Sequence, residues 1–293
     1  PADAEAAQKE PLGVQAEIKK PAKNCNGAGP EAGFFCQYVE TYLERMGFTE
    51  PQLTTGGYTI KTTLDLNATH LAKQAAEDGV PKDADGIANA MAIVKPGKDR
   101  HEVVALVSNR DYGPNAAAGQ TQYPQPYGIE NKFGAGSSYK IFTAAAALEK
   151  GMGINNVIDT PTTYTSSLFT GGNPKNCPRT PDPRDGRDNS WYCLQNAGKG
   201  YPPQMTLQSA LATSPNTGFV KLEEMLGSTD PVVDMAIRLG MRDTFASNMD
   251  GKPVKPGEEN QATHFKSKPN GNPGNAALTL GPSPTSPLEL ANV

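Results

Sequence analysis

Gly134-Ala135-Gly136-Ser137-Ser138-Tyr139-Lys140 runs directly into Ile141-Phe142-Thr143-Ala144-Ala145-Ala146-Ala147-Leu148-Glu149-Lys150-Gly151. A glycine-rich turn meets a segment whose alanines and Leu148 favour helix, and Gly151 supplies a stop. Ser137 falls in the first turn, with Lys140 three residues on along the same face. A hydroxyl beside an amine at the positive end of a helix suits an acyl-transfer nucleophile and its base. The pair alone decides little. Ser-x-x-Lys recurs by chance, and an N-cap serine with a solvated lysine gives the same pattern. A phosphate loop is excluded, because it needs Gly-Lys-Ser/Thr in direct succession and Tyr139 and Ile141 flank Lys140.

The chain of 293 residues is long enough to bury a large core, as one domain or two. Its 30 glycines and 26 prolines predict long loops. A net charge of −4 gives no basic excess for nucleic acid or an anionic membrane surface. No run approaches the roughly 18 apolar residues of a membrane helix, and residues 1–5 do not read as a signal peptide. A targeting segment or anchor is therefore expected to have been removed or never to have existed.

The four cysteines allow three pairings, and they fall as two local pairs in Gly/Pro/Asn-rich stretches. Cys25–Cys36 and Cys177–Cys193 are the preferred bridges, against free thiols or a zinc site. They point to an oxidising compartment. Zinc finds no Cys-x-x-Cys spacing and no neighbouring histidine. His70, His101 and His264 share no spacing and read as surface residues. Asp182, Asp185 and Asp188 imitate a calcium loop only faintly, since the order of ligands and glycine is wrong and no closing glutamate follows.

In chain order, residues 1–33 read as a linker. A helix follows whose apolar stripe is Tyr38, Val39, Tyr42, Leu43 and Met46, ended by Gly47. Residues 58–63 read as a strand, and Asp65 or Asn67 caps a helix running to about Gly79. Residues 90–95 and 102–107 read as a hairpin of buried strands. Residues 110–132 read as a loop bearing Tyr112, Tyr123 and Tyr127, and residues 160–205 as a second long loop around Trp191. Helices at 205–213 and 217–226 are broken by Ser214-Pro215-Asn216, because proline disfavours helix in the residue before it. A further helix occupies 231–240. Residues 246–275 are polar and read as a mobile excursion. Ser286-Pro287-Leu288-Glu289 opens a last helix, with a cap serine, proline at the first position and glutamate at the third. A fold is not expected to finish two turns into it.

Ser137-x-x-Lys140 followed by Ser214-x-Asn216 between two helices resembles the first two motifs of the penicillin-binding serine enzymes. The resemblance extends to Gly56-Gly57-Tyr58-Thr59-Ile60-Lys61-Thr62-Thr63-Leu64-Asp65, to the 92–107 hairpin with Arg110-Asp111-Tyr112, and to Leu278-Thr279-Leu280-Gly281 with Ser286-Pro287-Leu288-Glu289-Leu290-Ala291-Asn292. These stretches look like the transpeptidase domain of class A penicillin-binding proteins over roughly residues 34–293. The resemblance implies a mixed α/β (α+β) fold of the penicillin-binding transpeptidase and β-lactamase kind: an antiparallel sheet flanked by helices, plus an all-helical subregion. It implies that residues 1–33 link to an absent glycosyltransferase domain.

The roles it implies are these. Ser137 attacks the carbonyl of the penultimate D-Ala of a peptidoglycan stem peptide, and Lys140 takes its proton. Ser214 relays a proton to the leaving D-Ala nitrogen, and Asn216 bonds the substrate backbone amide. β-Lactams acylate Ser137. No cofactor and no metal is expected, and the place is the extracytoplasmic face of the bacterial membrane. The third motif, Lys-Thr/Ser-Gly, is missing. Lys61-Thr62-Thr63 and Lys266-Ser267-Lys268 are only near misses. The rest of the domain is therefore expected as a further partner, and these residues alone are expected to be inactive and poorly folded. Three rivals share the motifs. A class A β-lactamase is disfavoured because Pro215 stands in place of its Asp. A D,D-carboxypeptidase and a non-catalytic β-lactam sensor are not separated by sequence.

Overall fold

The computed structural model describes residues 24–131, 133–173, 175–181, 186 and 188–293, with Glu5, Gln8 and Lys9. Most of the expected linker, and Asp182 and Asp185 of the faint calcium pattern, lie outside the described residues.

Residues 24–33 of the expected linker are helical. Asn24–Ala28 form a 3-10 turn and α1 runs from Gly29–Arg45, with the Cys25–Cys36 disulfide tying turn to helix. Its buried face differs from the expected stripe. Phe34 and Phe35 are buried, whereas Tyr42 is 52% and Met46 66% exposed. The helix starts a turn earlier than expected, and Phe34 meets the edge of Tyr112 at 5.2 Å. Tyr112 is thus a core residue, not a loop tyrosine.

A short helix α2, Glu50–Thr55, is closed by a Thr49/Gln52 capping box. Residues 58–63 form no strand. They run extended beside the hairpin, with Tyr58 and Ile60 exposed, and touch it through Thr63 Oγ1 to Val103 O (2.5 Å), before Asp65 N reaches Val104 O (3.0 Å). β-Propensity does not make a ladder where no neighbour completes it. Asp65 caps α3, Leu66–Gly79, through Ala68 N (2.9 Å).

β1, Ala90–Lys95, and β2, Glu102–Ser108, pair antiparallel with Ala90 opposite Ser108. α1 and α3 cover β2, whose residues 105–108 are buried, but β1 is only half-buried rather than a core strand. Asp111–Tyr112 (β3) and Gln120–Thr121 (β4) make a short parallel pair within the expected loop.

The chain then enters its helical half. α4, Lys140–Glu149, continues from a 3-10 turn over Gly136–Tyr139. Next come β5 (Val157–Asp159), β6 (Thr163–Thr170), β7 (Arg179–Pro181), β8 (Asp188–Gln195) and β9 (Gln204–Thr206). The expected loop at 160–205 therefore carries a sheet: β6, β8 and β7 form an antiparallel three-stranded sheet in that order, stapled by Cys177–Cys193, and β5 pairs with β9.

α5 (Leu207–Thr213), α6 (Asn216–Met225), α7 (Asp230–Leu239), α8 (Arg242–Ala246) and α9 (Gln261–Phe265) follow. α10, Pro287–Asn292, packs on β1, and its cap is as expected: Ser286 Oγ accepts from Glu289 N at 3.3 Å. Residues 246–275 are tied down rather than an excursion. Phe265 is fully buried, and Gln261 Nε2 donates to Pro284 O (3.0 Å) and Ser247 Oγ (3.1 Å).

Helix α4 lies between two cores. Tyr139, Phe142 and Ala146 join Val233, Phe245, Phe265 and Leu278 on one side. Ala144 and Ala147 join Leu207, Phe219 and Leu222 on the other. The alanine run is what lets flanking helices approach from both sides.

Candidate active site

The turn before α4 is fixed by close backbone packing. Gly136 adopts φ +58° and its amide donates to Gly281 O (3.0 Å), while Gly281 also sits at φ +58°. A Cβ on Gly134 would run into the backbone of Gly281 and Ser283, and one on Gly281 into that of Gly136. Tyr139, fully buried, anchors the same turn through its hydroxyl to Thr285 Oγ1 (2.8 Å). Gly134 and Gly281 are therefore required by contact between two chain segments, and Gly136 by its positive φ.

On this turn Ser137 is exposed and Lys140 is buried. In 3-10 geometry residues i and i+3 eclipse, so the two lie on one side of the chain. Lys140 Nζ reaches Ser214 O (2.7 Å), Ser214 Oγ (2.9 Å) and Asn216 Oδ1 (2.8 Å). It also stands 5.5 Å from the centre of the Phe219 ring. The structure thus brings Lys140, Ser214 and Asn216 into direct contact. Lys140 N donates to Ser137 O in the 3-10 turn, but the Ser137 hydroxyl makes no hydrogen bond to Lys140 Nζ among the described contacts.

Ser214 is held in the left-handed region, φ +62°, the one positive-φ residue other than glycine among the described residues. Pro215 explains the bend: it blocks helix before it and has no side-chain cap for α6 after it. The strain turns both the carbonyl and the hydroxyl of Ser214 onto one lysine. Asn216 Nδ2 donates to Gln195 O at the end of β8 (3.4 Å), so the sheet borders the site.

Burial pushes the Lys140 ammonium down to about 8, because the apolar surroundings penalise its charged form. Two of its three contacts, Ser214 O and Asn216 Oδ1, only accept. The third, Ser214 Oγ, can donate instead once Lys140 is neutral. The same geometry therefore serves a proton donor and a proton acceptor.

One further buried acid lies behind the site. Glu223 on α6 is fully buried, and neither carboxyl oxygen has a hydrogen-bond partner among the described residues. Burial raises its pKa well above the usual carboxylate range, and the nearby Thr279 amide offsets this only in part. Thr279 Oγ1 is hydrogen-bonded to Thr143 Oγ1 at 2.8 Å, one turn after Lys140. Nothing in the sequence marks Glu223, which reads as an ordinary helix-surface glutamate.

The clefts along α1, including one of about 340 Å³ between Tyr38 and Asn292, hold none of the four site residues. Among the described residues one cluster has metal-ligand geometry, Cys25, Cys36 and Glu40, and there both thiols are spent in a disulfide. Both preferred disulfides are present. His70 contacts Glu31, His101 contacts Asn292, and His264 contacts Asn275.

A buried lysine facing a strained serine turn, in a mixed fold with antiparallel sheets, has the chemistry that serine acyl transfer needs, and comparison with known proteins gives the family. Residues 93–293 match the penicillin binding protein transpeptidase domain, and the chain belongs to that family. The penicillin-binding protein PonA1 from Mycobacterium tuberculosis is similar over 88% of this chain and 55% of its own, at 25% identity and a TM-score of 0.55. A penicillin G acyl-enzyme complex of penicillin-binding protein A from the same organism is similar over 78% of this chain and 49% of its own, at 20% identity and a TM-score of 0.50. The chain thus spans about half the length of these two structures. Comparison with curated proteins gives no significant match. Membership supports a serine enzyme of the acyl-transferase or hydrolase kind. Among the described residues no helix is long and apolar enough to cross a membrane.

Proposed function

We propose that this chain is part of a peptidoglycan D,D-transpeptidase that cross-links stem peptides through an acyl-enzyme on Ser137 and that β-lactams inactivate. The observation that carries it is the contact of Lys140 Nζ with Ser214 and Asn216, next to an accessible Ser137 in a chain of this family.

In this reading neutral Lys140 accepts the Ser137 proton as Ser137 Oγ bonds to the carbonyl carbon of the penultimate D-Ala. The carbonyl π pair moves to oxygen, then returns as the C–N bond breaks. The proton passes from Lys140 through the Ser214 hydroxyl to the departing D-Ala nitrogen. The amine of a neighbouring stem peptide then attacks the ester and gives up its proton by the reverse route. Asn216 orients the substrate amide. Neither half-reaction consumes a cofactor.

The missing Lys-Thr/Ser-Gly strand, with its share of the oxyanion hole, belongs to a remainder of the domain. The coverage of about half of PonA1 supports that. A glycosyltransferase domain precedes the linker in the parent protein. The two disulfides support an extracytoplasmic site.

The test is product analysis with the whole protein, a stem pentapeptide donor and an acceptor amine. Cross-linked dimer with released D-Ala supports the reading. Tetrapeptide alone would make the protein a carboxypeptidase, rapid turnover of penicillin a β-lactamase. No release of D-Ala, with penicillin still bound, would leave a sensor.

A further inference from the structure

Helix α6 begins with a defect. Its capping position is Pro215, which has no side-chain acceptor for the free amides of the first turn, and the first two helical residues are Asn216 and Thr217. The missing acceptor comes from elsewhere in the chain. Asn196, the residue after β8, places Oδ1 3.0 Å from Thr217 N. Its own Nδ2 donates to Pro161 O (3.1 Å), the residue two before β6. The Thr217 hydroxyl donates to the same Pro161 carbonyl (2.7 Å) and lies 3.2 Å from Asn196 Oδ1. The Asn196 amide donates to Thr162 O (3.2 Å). Asn196 is 8% exposed and Thr217 is fully buried, so water cannot easily replace these bonds.

We infer that Asn196 is a positioning residue for the acyl-transfer site, capping α6 from the three-stranded sheet and thereby fixing the Ser214–Asn216 turn against Lys140. The inference deepens the proposed function and rests on it. Ser214 occupies a backbone region costly for a residue with a Cβ and stays there only while its surroundings hold it. On the N-terminal side α5 holds it, through Ser214 N to Ala210 O (2.7 Å). On the other side the anchors are Thr217 N to Asn196 and Asn216 Nδ2 to Gln195 O, and both acceptors sit at the end of β8. Releasing the α6 side lets the turn relax and carries Asn216 Oδ1 and Ser214 Oγ away from Lys140. Asn196 itself touches none of Lys140, Ser214 or Ser137 among the described contacts, so its action is through Thr217 and Asn216.

The test uses the whole protein, benzylpenicillin as probe, and stopped-flow acylation resolved into a binding constant and an acylation rate constant. Asn196→Ala should lower the acylation rate constant by about 10–100-fold with binding little changed, the signature of misplaced reacting groups. Asn196→Asp keeps the acceptor oxygens but sets a buried carboxylate against Pro161 O where Nδ2 donated, so it should recover only part of the rate. Thr217→Val keeps the amide bond and should fold even if Asn196→Ala does not. It should acylate within about threefold of wild type, because the cap itself is intact. Equal acylation rate constants in wild type and Asn196→Ala would overturn the inference, as would a loss of labelling in Asn196→Ala carried wholly by weaker penicillin binding. A wild-type protein that takes no penicillin on Ser137 sinks the proposed function, and the inference with it. Acylated wild type with an unaffected Asn196→Ala sinks the inference alone.

Discussion

In the proposed reaction Lys140 is the base, and its environment sets what that role costs. With an unperturbed pKa of about 10.4, neutralising a lysine at pH 7 costs about 4.6 kcal/mol. At about 8 the cost falls to roughly 1.4 kcal/mol. The neutral fraction then rises about tenfold per pH unit below 8 and levels off above it. Penicillin acylation of Ser137 in the whole protein should follow that curve, with one inflection near 8. A rate flat between pH 6 and 9 would contradict it. Lys140→Arg keeps the charge permanently and should abolish acylation. The same shift has a stability sign. The folded lysine loses its proton before the unfolded one, so between about 8 and 10.4 the unfolded chain binds more protons and stability rises with pH. Ser214 and Asn216 were legible in the sequence as a break between helices. The left-handed backbone at Ser214 was not, because a proline steers the residue before it towards extended backbone with negative φ.

At the scale of elements, helix α6 couples the site to its support. Glu223 lies two turns along from Asn216, fully buried. Its raised pKa means the folded state holds a proton the unfolded state gives up above about pH 4.5, so it costs stability as pH rises past that point. Glu223→Gln should therefore be more stable than wild type at pH 8 and indistinguishable at pH 4 in urea unfolding. A pH-independent difference would show that the carboxyl is not the group responsible. The sheet beside α6 depends on Cys177–Cys193, which spans 16 residues. Selective reduction should destabilise it by about 3 kcal/mol on the chain-entropy account. The reading is a thermal melt with and without reductant, and no change in midpoint would count against an anchoring role.

Capped helices and short-range disulfides could be read from the sequence because their signals are local: Asp65, Ser286-Pro287, Cys25 and Cys36. The sheet of β6, β7 and β8 could not. Its strands are polar and rich in serine and threonine, and its pairing is broken by an irregularity between Thr165 and Thr170. Residues 246–275 were misread for a related reason. Their order comes from a few anchors, Phe265 and Gln261 above all, in a stretch whose average composition is that of a loop.

For the whole molecule, the fold brings the Ser137 turn, the Lys140 helix and the Ser214 bend together at helix α4, which lies between two cores, with Gly281 locking the first of them. Family membership was legible in two motifs and their context. The Gly134–Gly281 contact was not, since it joins segments far apart in the chain. The central claim is that Ser137 is the acyl acceptor and Lys140 its base. Intact mass of the whole protein after incubation with benzylpenicillin, followed by peptide mapping, addresses it most directly. The account predicts a single adduct on the peptide bearing Ser137, absent in Ser137→Ala and in Lys140→Arg. An adduct on any other residue, or undiminished labelling of Ser137→Ala, would contradict it.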